Sequence, residues 1–154
     1  MGNIAVYAGS FCPFTKGHED IGRQALPLFD KIIVAIGRNR DKTELFDEAD
    51  RKRWVQKIYQ DNPKIQILSY SGLTVELCRR HGAHFLIRGV RNARDFAAEQ
   101  ELAEVNKRLA PEIETVLFLA SPELRMVSSS MVRELWHFGE DYSPFLSYEL
   151  PENG

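Results

Sequence analysis

The sequence predicts an α/β fold, a doubly wound parallel five-stranded sheet with helices on both faces, as one domain over residues 1–154. Three observations carry this. Strand-sized apolar runs rich in Val, Ile and Leu recur along the chain and barely alternate, as strands covered on both faces do. Segments of 3.6-residue periodicity separate them, which implies parallel strands joined by right-handed crossovers. The chain of 154 residues, 44% hydrophobic and 27% charged, suffices for one buried core and excludes a disordered, collagen-like or coiled-coil protein.

Each element follows in order. The first strand is Ile4–Ala8. Ile21, Ala25, Leu28 and Phe29 form the apolar stripe of the next helix, which Pro27 helps to end. Lys31–Ile36 is the second strand. Trp54, Val55, Ile58 and Tyr59 mark a second helix, with Asp47 as its cap. The third strand, Ile65–Tyr70, leads to a short helix, Thr74–Arg80, stopped by Gly82. Strands His84–Arg88 and Thr115–Ala120 flank the longest helix, Phe96–Leu109, and a last helix covers Ser128–Phe138. After Gly139, with Pro144 and Pro151, residues 140–154 read as an irregular, peripheral tail.

Several function classes drop out. Twenty basic against 22 acidic residues leave a formal charge of −2, without the basic excess that nucleic-acid binding needs. No apolar run is long enough to span a bilayer. Met1-Gly2-Asn3 runs straight into a strand, leaving no room for a signal peptide, and Val6 stands where myristoylation wants Ser or Thr. Cys12 and Cys78 supply neither a disulfide framework nor zinc-site spacing, so no protein metal site is expected. The expected compartment is the cytosol.

In an open α/β sheet, ligands sit beyond the carboxyl ends of the strands, so chemistry should gather in the loops that follow them. The first such loop reads Gly9-Ser10-Phe11-Cys12-Pro13-Phe14-Thr15-Lys16-Gly17-His18 and opens a helix. Its glycines permit close backbone approach, and the helix start favours a phosphate. His18 is either a donor to that phosphate or a capping histidine; sequence leaves both open. The pattern fits neither a Walker loop nor the Gly-x-Gly-x-x-Gly fingerprint. Arg38, Arg40 and Lys42 follow the second strand, where they are either a solvated charge run or phosphate contacts. Arg88-Gly89-Val90-Arg91 places two arginines beyond the fourth strand, suited to bidentate phosphate recognition or to ion pairing with Asp95 or Glu99. Ser128-Ser129-Ser130 opens the last helix as an N-cap or a second phosphate site.

The first loop resembles the Thr/His-x-Gly-His signature of nucleotidyltransferases, whose Rossmann-like fold agrees with the sheet derived above. Together the blocks Gly9–His18, Lys42, Ile87–Arg91, Glu99 and Val127–Arg133 resemble the bacterial phosphopantetheine adenylyltransferase family over nearly the whole chain. That resemblance implies transfer of AMP from ATP to 4′-phosphopantetheine, giving dephospho-coenzyme A and pyrophosphate. By position it implies that Ser10, Lys42, Thr74 and Arg88 bind the acceptor. It likewise assigns ATP to Ser10, Phe11, His18, Gly89, Val90, Arg91, Glu99, Leu124, Arg125, Met126, Val127, Ser128, Ser129 and Ser130. His18, Lys42 and Arg91 would carry catalysis, with Mg2+ bound mainly through substrate phosphates, in a homohexamer. Cys12 departs from the family, which usually has aspartate there; Thr74 and Leu124 are smaller than expected. Rival readings are an adenylyltransferase acting on nicotinate mononucleotide, a non-catalytic nucleotide-binding module, and a thiol hydrolase using Cys12 and His18.

Overall fold

The computed structural model describes residues 2–38 and 44–153. Its strands are β1 (Ile4–Gly9), β2 (Lys31–Gly37), β3 (Ile65–Tyr70), β4 (Phe85–Val90) and β5 (Glu114–Leu119). All pair in parallel in the order β3-β2-β1-β4-β5. Winding reverses between β1 and β4, so the crevice at their carboxyl ends is where a ligand is expected.

The helices are α1 (Lys16–Ala25), α2 (Glu48–Ile58), α3 (Thr74–Arg80), α4 (Ala93–Leu109) and α5 (Ser129–His137). Alternate residues of each strand feed two cores. Ala5, Tyr7, Ile32, Val34, Ile36 and Ile87 pack with Ile21 and Ala25 of α1 and Val55 of α2 on one face. Val6, Ala8, Ile33, Ala35 and Leu86 pack with Val75, Leu77 and Cys78 of α3 and with Ala110 and Ile113 on the other. The sheet is thus covered on both sides, and its strands read as apolar runs for that reason.

Three local expectations change. Leu28, placed in the α1 stripe, falls in a 3-10 turn (Leu26–Leu28) after the helix and is exposed. Asp47 stands at the N-cap position of α2 without a side-chain cap bond. The tail is irregular but not peripheral: Leu146 and Leu150 are buried with Cys12, Phe46 and Val132 in a third core. Among its packed aromatics, Tyr148 stacks on Trp54 and Trp136 meets Phe46 edge-on.

Candidate active site

The loop from Gly9 to Thr15 lies over the winding reversal. Phe11 is left-handed at φ 47°, and the Cys12–Pro13 bond is cis. A Cβ on Gly9 would stand 3.0 Å from the Phe11 ring, which would have to give by a few tenths of an ångström. Gly89 on β4 is held more tightly, because a Cβ there would lie 2.8 Å from Ile21 of α1. α5 and the tail clamp this loop. Ser129 donates to the Pro13 carbonyl at 2.7 Å, Arg133 to the Cys12 carbonyl at 2.7 Å, and the Tyr148 hydroxyl to the Phe14 carbonyl at 2.5 Å.

Thr15 caps α1. Its hydroxyl accepts from the His18 backbone N–H at 3.3 Å, and its own N–H donates to His18 Nδ1 at 2.9 Å. The capping reading of His18 holds and leaves the phosphate-donor reading open: the cap takes up Nδ1, so the ring proton sits on Nε2. The ring lies edge-on to Phe11 and stacked on Phe14, with centroids 5.0 and 5.2 Å away. Burial, then the Arg88 and Arg91 charges, push its pKa down to about 4, so the imidazole is neutral at physiological pH.

Both arginines of the β4 block hold carboxylates. Arg88 forms a two-pronged bond with Glu99 (Nε–Oε2 and Nη2–Oε1, each 2.8 Å) and donates from Nη1 to the Ala8 carbonyl at 2.9 Å. Arg91 pairs with Asp95 at 3.1 Å. Asp20, its side chain only 2% exposed, ties α1 to the end of β5. It accepts from Ser121 N–H (2.8 Å) and hydroxyl (2.7 Å), from Arg23 and from Gln24. Burial alone would raise its pKa, but these bonds hold the carboxyl below the usual range.

Two cavities open at this end of the sheet. The smaller, about 300 Å³, is lined by Ser10, Phe11, His18, Gly89, Val90, Arg91, Glu99, Leu124, Val127, Ser128 and Ser129. The larger, about 1460 Å³, runs between α3, α4 and α5, past Thr74, Leu102, Val105, Leu109, Ser130 and Arg133. They share Ala8, Gly9, Ser10 and Arg88. Of the remaining sequence candidates, Arg125 borders a separate hollow with Arg91. Met126 is 65% exposed and lines none of these three cavities. Lys42 and Arg40 lie outside the described residues.

Sequence reasoning passed over Arg51, Asp20 and the α4 wall. Arg51 offered one signal, since it precedes Val55 by four residues and so falls on the buried stripe of α2.

Residues 6–135 match the cytidylyltransferase-like family. The phosphopantetheine adenylyltransferase of Flavobacterium psychrophilum is 45% identical over 139 residues, covering 90% of this chain and 91% of that protein. That of Porphyromonas gingivalis is 46% identical over 144 residues, 94% of each. That of Cytophaga hutchinsonii is 42% identical over 150 residues, covering 97% of this chain and all of the relative. Among solved structures, a bifunctional NMN adenylyltransferase/ADP ribose pyrophosphatase from Francisella tularensis superposes with a TM-score of 0.74 at 18% identity. The match covers 98% of this chain and 46% of that one, a likeness of fold.

Proposed function

We infer the chemistry from one premise, that the chain belongs to the cytidylyltransferase-like family and within it to the phosphopantetheine adenylyltransferases. It is a nucleotidyltransferase of coenzyme A biosynthesis, transferring AMP from ATP to 4′-phosphopantetheine. We propose that ATP occupies the smaller cavity and the acceptor the larger one. The single observation behind this is that both open onto Ser10 and Arg88, so two substrates would meet there.

On this reading a phosphate oxygen of the acceptor attacks the α-phosphorus of ATP in line. One P–O bond forms, the α–β bridge breaks, and pyrophosphate leaves with the bridging oxygen. No protein nucleophile is needed, so catalysis lies in positioning and in neutralising developing charge. Neutral His18 presents Nε2–H to a phosphoryl oxygen, while Arg91 and Lys42 carry positive charge toward the polyphosphate. Arg88 and Thr74 hold the acceptor, and Ser128 and Ser129 offer hydroxyls and a helix start to ATP. Among the described residues, Glu99 is the one carboxylate lining the smaller cavity and is committed to Arg88; magnesium would be held mainly by the substrate phosphates and would keep several waters.

The α4 wall of Leu102, Val105 and Leu109 suits an uncharged pantetheine arm. We also propose a homohexamer in the cytosol; exposed Phe96 (49%) and Leu119 (74%) support an assembly surface at the β5 edge. Sedimentation at micromolar concentration giving an active monomer would remove the hexamer. The reaction is tested by following pyrophosphate release with ATP, magnesium and a panel of phosphorylated acceptors that includes nicotinate mononucleotide. 4′-Phosphopantetheine should be the preferred one, and preference for another acceptor would refute the assignment.

A further inference from the structure

We propose that Arg51 is a positioning residue for the acceptor's phosphate, acting from behind the wall of the larger cavity; this rests on the acceptor reading above. Arg51 is 1% exposed, the largest fully buried side chain among the described residues. No ion pair to it occurs among the described residues. Its guanidinium instead gathers three backbone carbonyls from three segments. Nε donates to Phe46 at 3.0 Å, and Nη1 donates to Gly37 at 3.3 Å and to Ser10.

Ser10 and Gly37 both line the larger cavity, one at the start of the β1 loop and one at the end of β2. Arg51 does two things there. It turns two electronegative carbonyl oxygens toward itself and away from an incoming anion. It also sets a full positive charge directly behind the wall, in surroundings that screen it less than water does. That charge matters because Arg88, which faces the same space, has its own charge offset by Glu99. Among the described residues the guanidinium is held by carbonyls and no carboxylate, an arrangement costly to bury, and a bound dianion close by would offset that cost. Arg51 thus adds to the preference of the acceptor site for a phosphomonoester over its uncharged alcohol.

The test compares binding of 4′-phosphopantetheine and of pantetheine by calorimetry in the wild-type chain and in Arg51→Gln and Arg51→Lys. Thermal melting and ATP affinity serve as controls. Wild type should favour the phosphorylated acceptor, and Arg51→Gln should lose ~10-fold or more of that preference, as expected for one partly screened charge. Arg51→Lys keeps the charge and should keep the preference within about threefold. ATP affinity should move little in either. A wild type without preference would overturn the acceptor reading and this proposal together. An unchanged preference in Arg51→Gln, or an equal loss of ATP and acceptor affinity, would overturn this proposal while leaving that reading intact. If Arg51→Gln does not fold, a folded Arg51→Lys without the preference overturns the proposal and one that retains it supports it.

Discussion

Replacing His18 separates two roles that the structure superimposes on one ring. In His18→Ala, the Thr15 N–H loses its acceptor, which costs about 1 kcal/mol. Loss of the packing on Phe11 and Phe14 removes about another 1 kcal/mol. For a domain this size, that lowers Tm by roughly 4–8 °C. The Nε2 donor disappears as well, and losing one donor that acts as charge develops costs ~10²–10³ in kcat. His18→Gln divides these effects, because a threonine cap followed three residues later by glutamine is an ordinary capping box. It should recover about half of the lost stability and none of the rate. Steady-state kinetics and thermal melting on the three proteins make the comparison. The reasoning fails if His18→Gln turns over near the wild-type rate, or if His18→Ala changes only KM for ATP.

Four further outcomes follow from the same geometry. With a folded pKa of about 4 against an ordinary 6.5, His18 stays neutral as pH falls from 7.5 to 5.5; ring NMR shifts assigned to His18 and titrating near 6.5 would contradict this. Because the unfolded ring binds more protons between those two values, His18 makes stability fall on acidification through that window and leaves it unaffected above it. Arg88→Ala should raise KM for phosphopantetheine far more than KM for ATP, by ~2–5 kcal/mol in binding; equal effects would end the proposed division of substrates. Cys12→Ser places a hydroxyl in the third core and should cost about 1–3 kcal/mol of stability while keeping most activity. A dead Cys12→Ser enzyme with an adenylylated Cys12 peptide in the wild type would replace direct transfer by a covalent route. Asp20→Asn cannot accept all four bonds at once and should raise KM for ATP more than for the acceptor, since the tie it loosens holds the wall of the smaller cavity.

The sheet was legible because strands buried on both faces must be continuously apolar, and all five fall within two residues of their sequence bounds. Loop contents were legible for a related reason, since the winding reversal dictates which loops converge. What escaped reading depends on partners distant in sequence. The spacing of Arg51 from Val55 marks it as buried, but not the three carbonyls from separate segments that surround it. Asp20 finds Ser121 a full 101 positions further along the chain. The pairing of Arg88 with Glu99 was one of two open choices, and only the tertiary placement of α4 decides it. The tail misled because Pro144, within a short 3-10 turn (Ser143–Phe145), and Pro151 rule out a long helix without excluding burial, and its Leu and Tyr residues supply what the cluster around Phe46 lacks.

The clamp that Tyr148 places on Phe14 joins residues 134 positions apart. A ribosome makes the β1 loop early and its fastener almost a whole domain later. Until then the β1 loop lacks the Tyr148 bond and the packing of Leu146 and Leu150 against Cys12. The entropy of closing so long a loop is met only when the sheet already brings its ends together. Nucleotide affinity should therefore be acquired late in biosynthesis. A nascent chain stopped before residue 146 can complete its sheet and still be a poor ligand for ATP, which separates folding from competence in time.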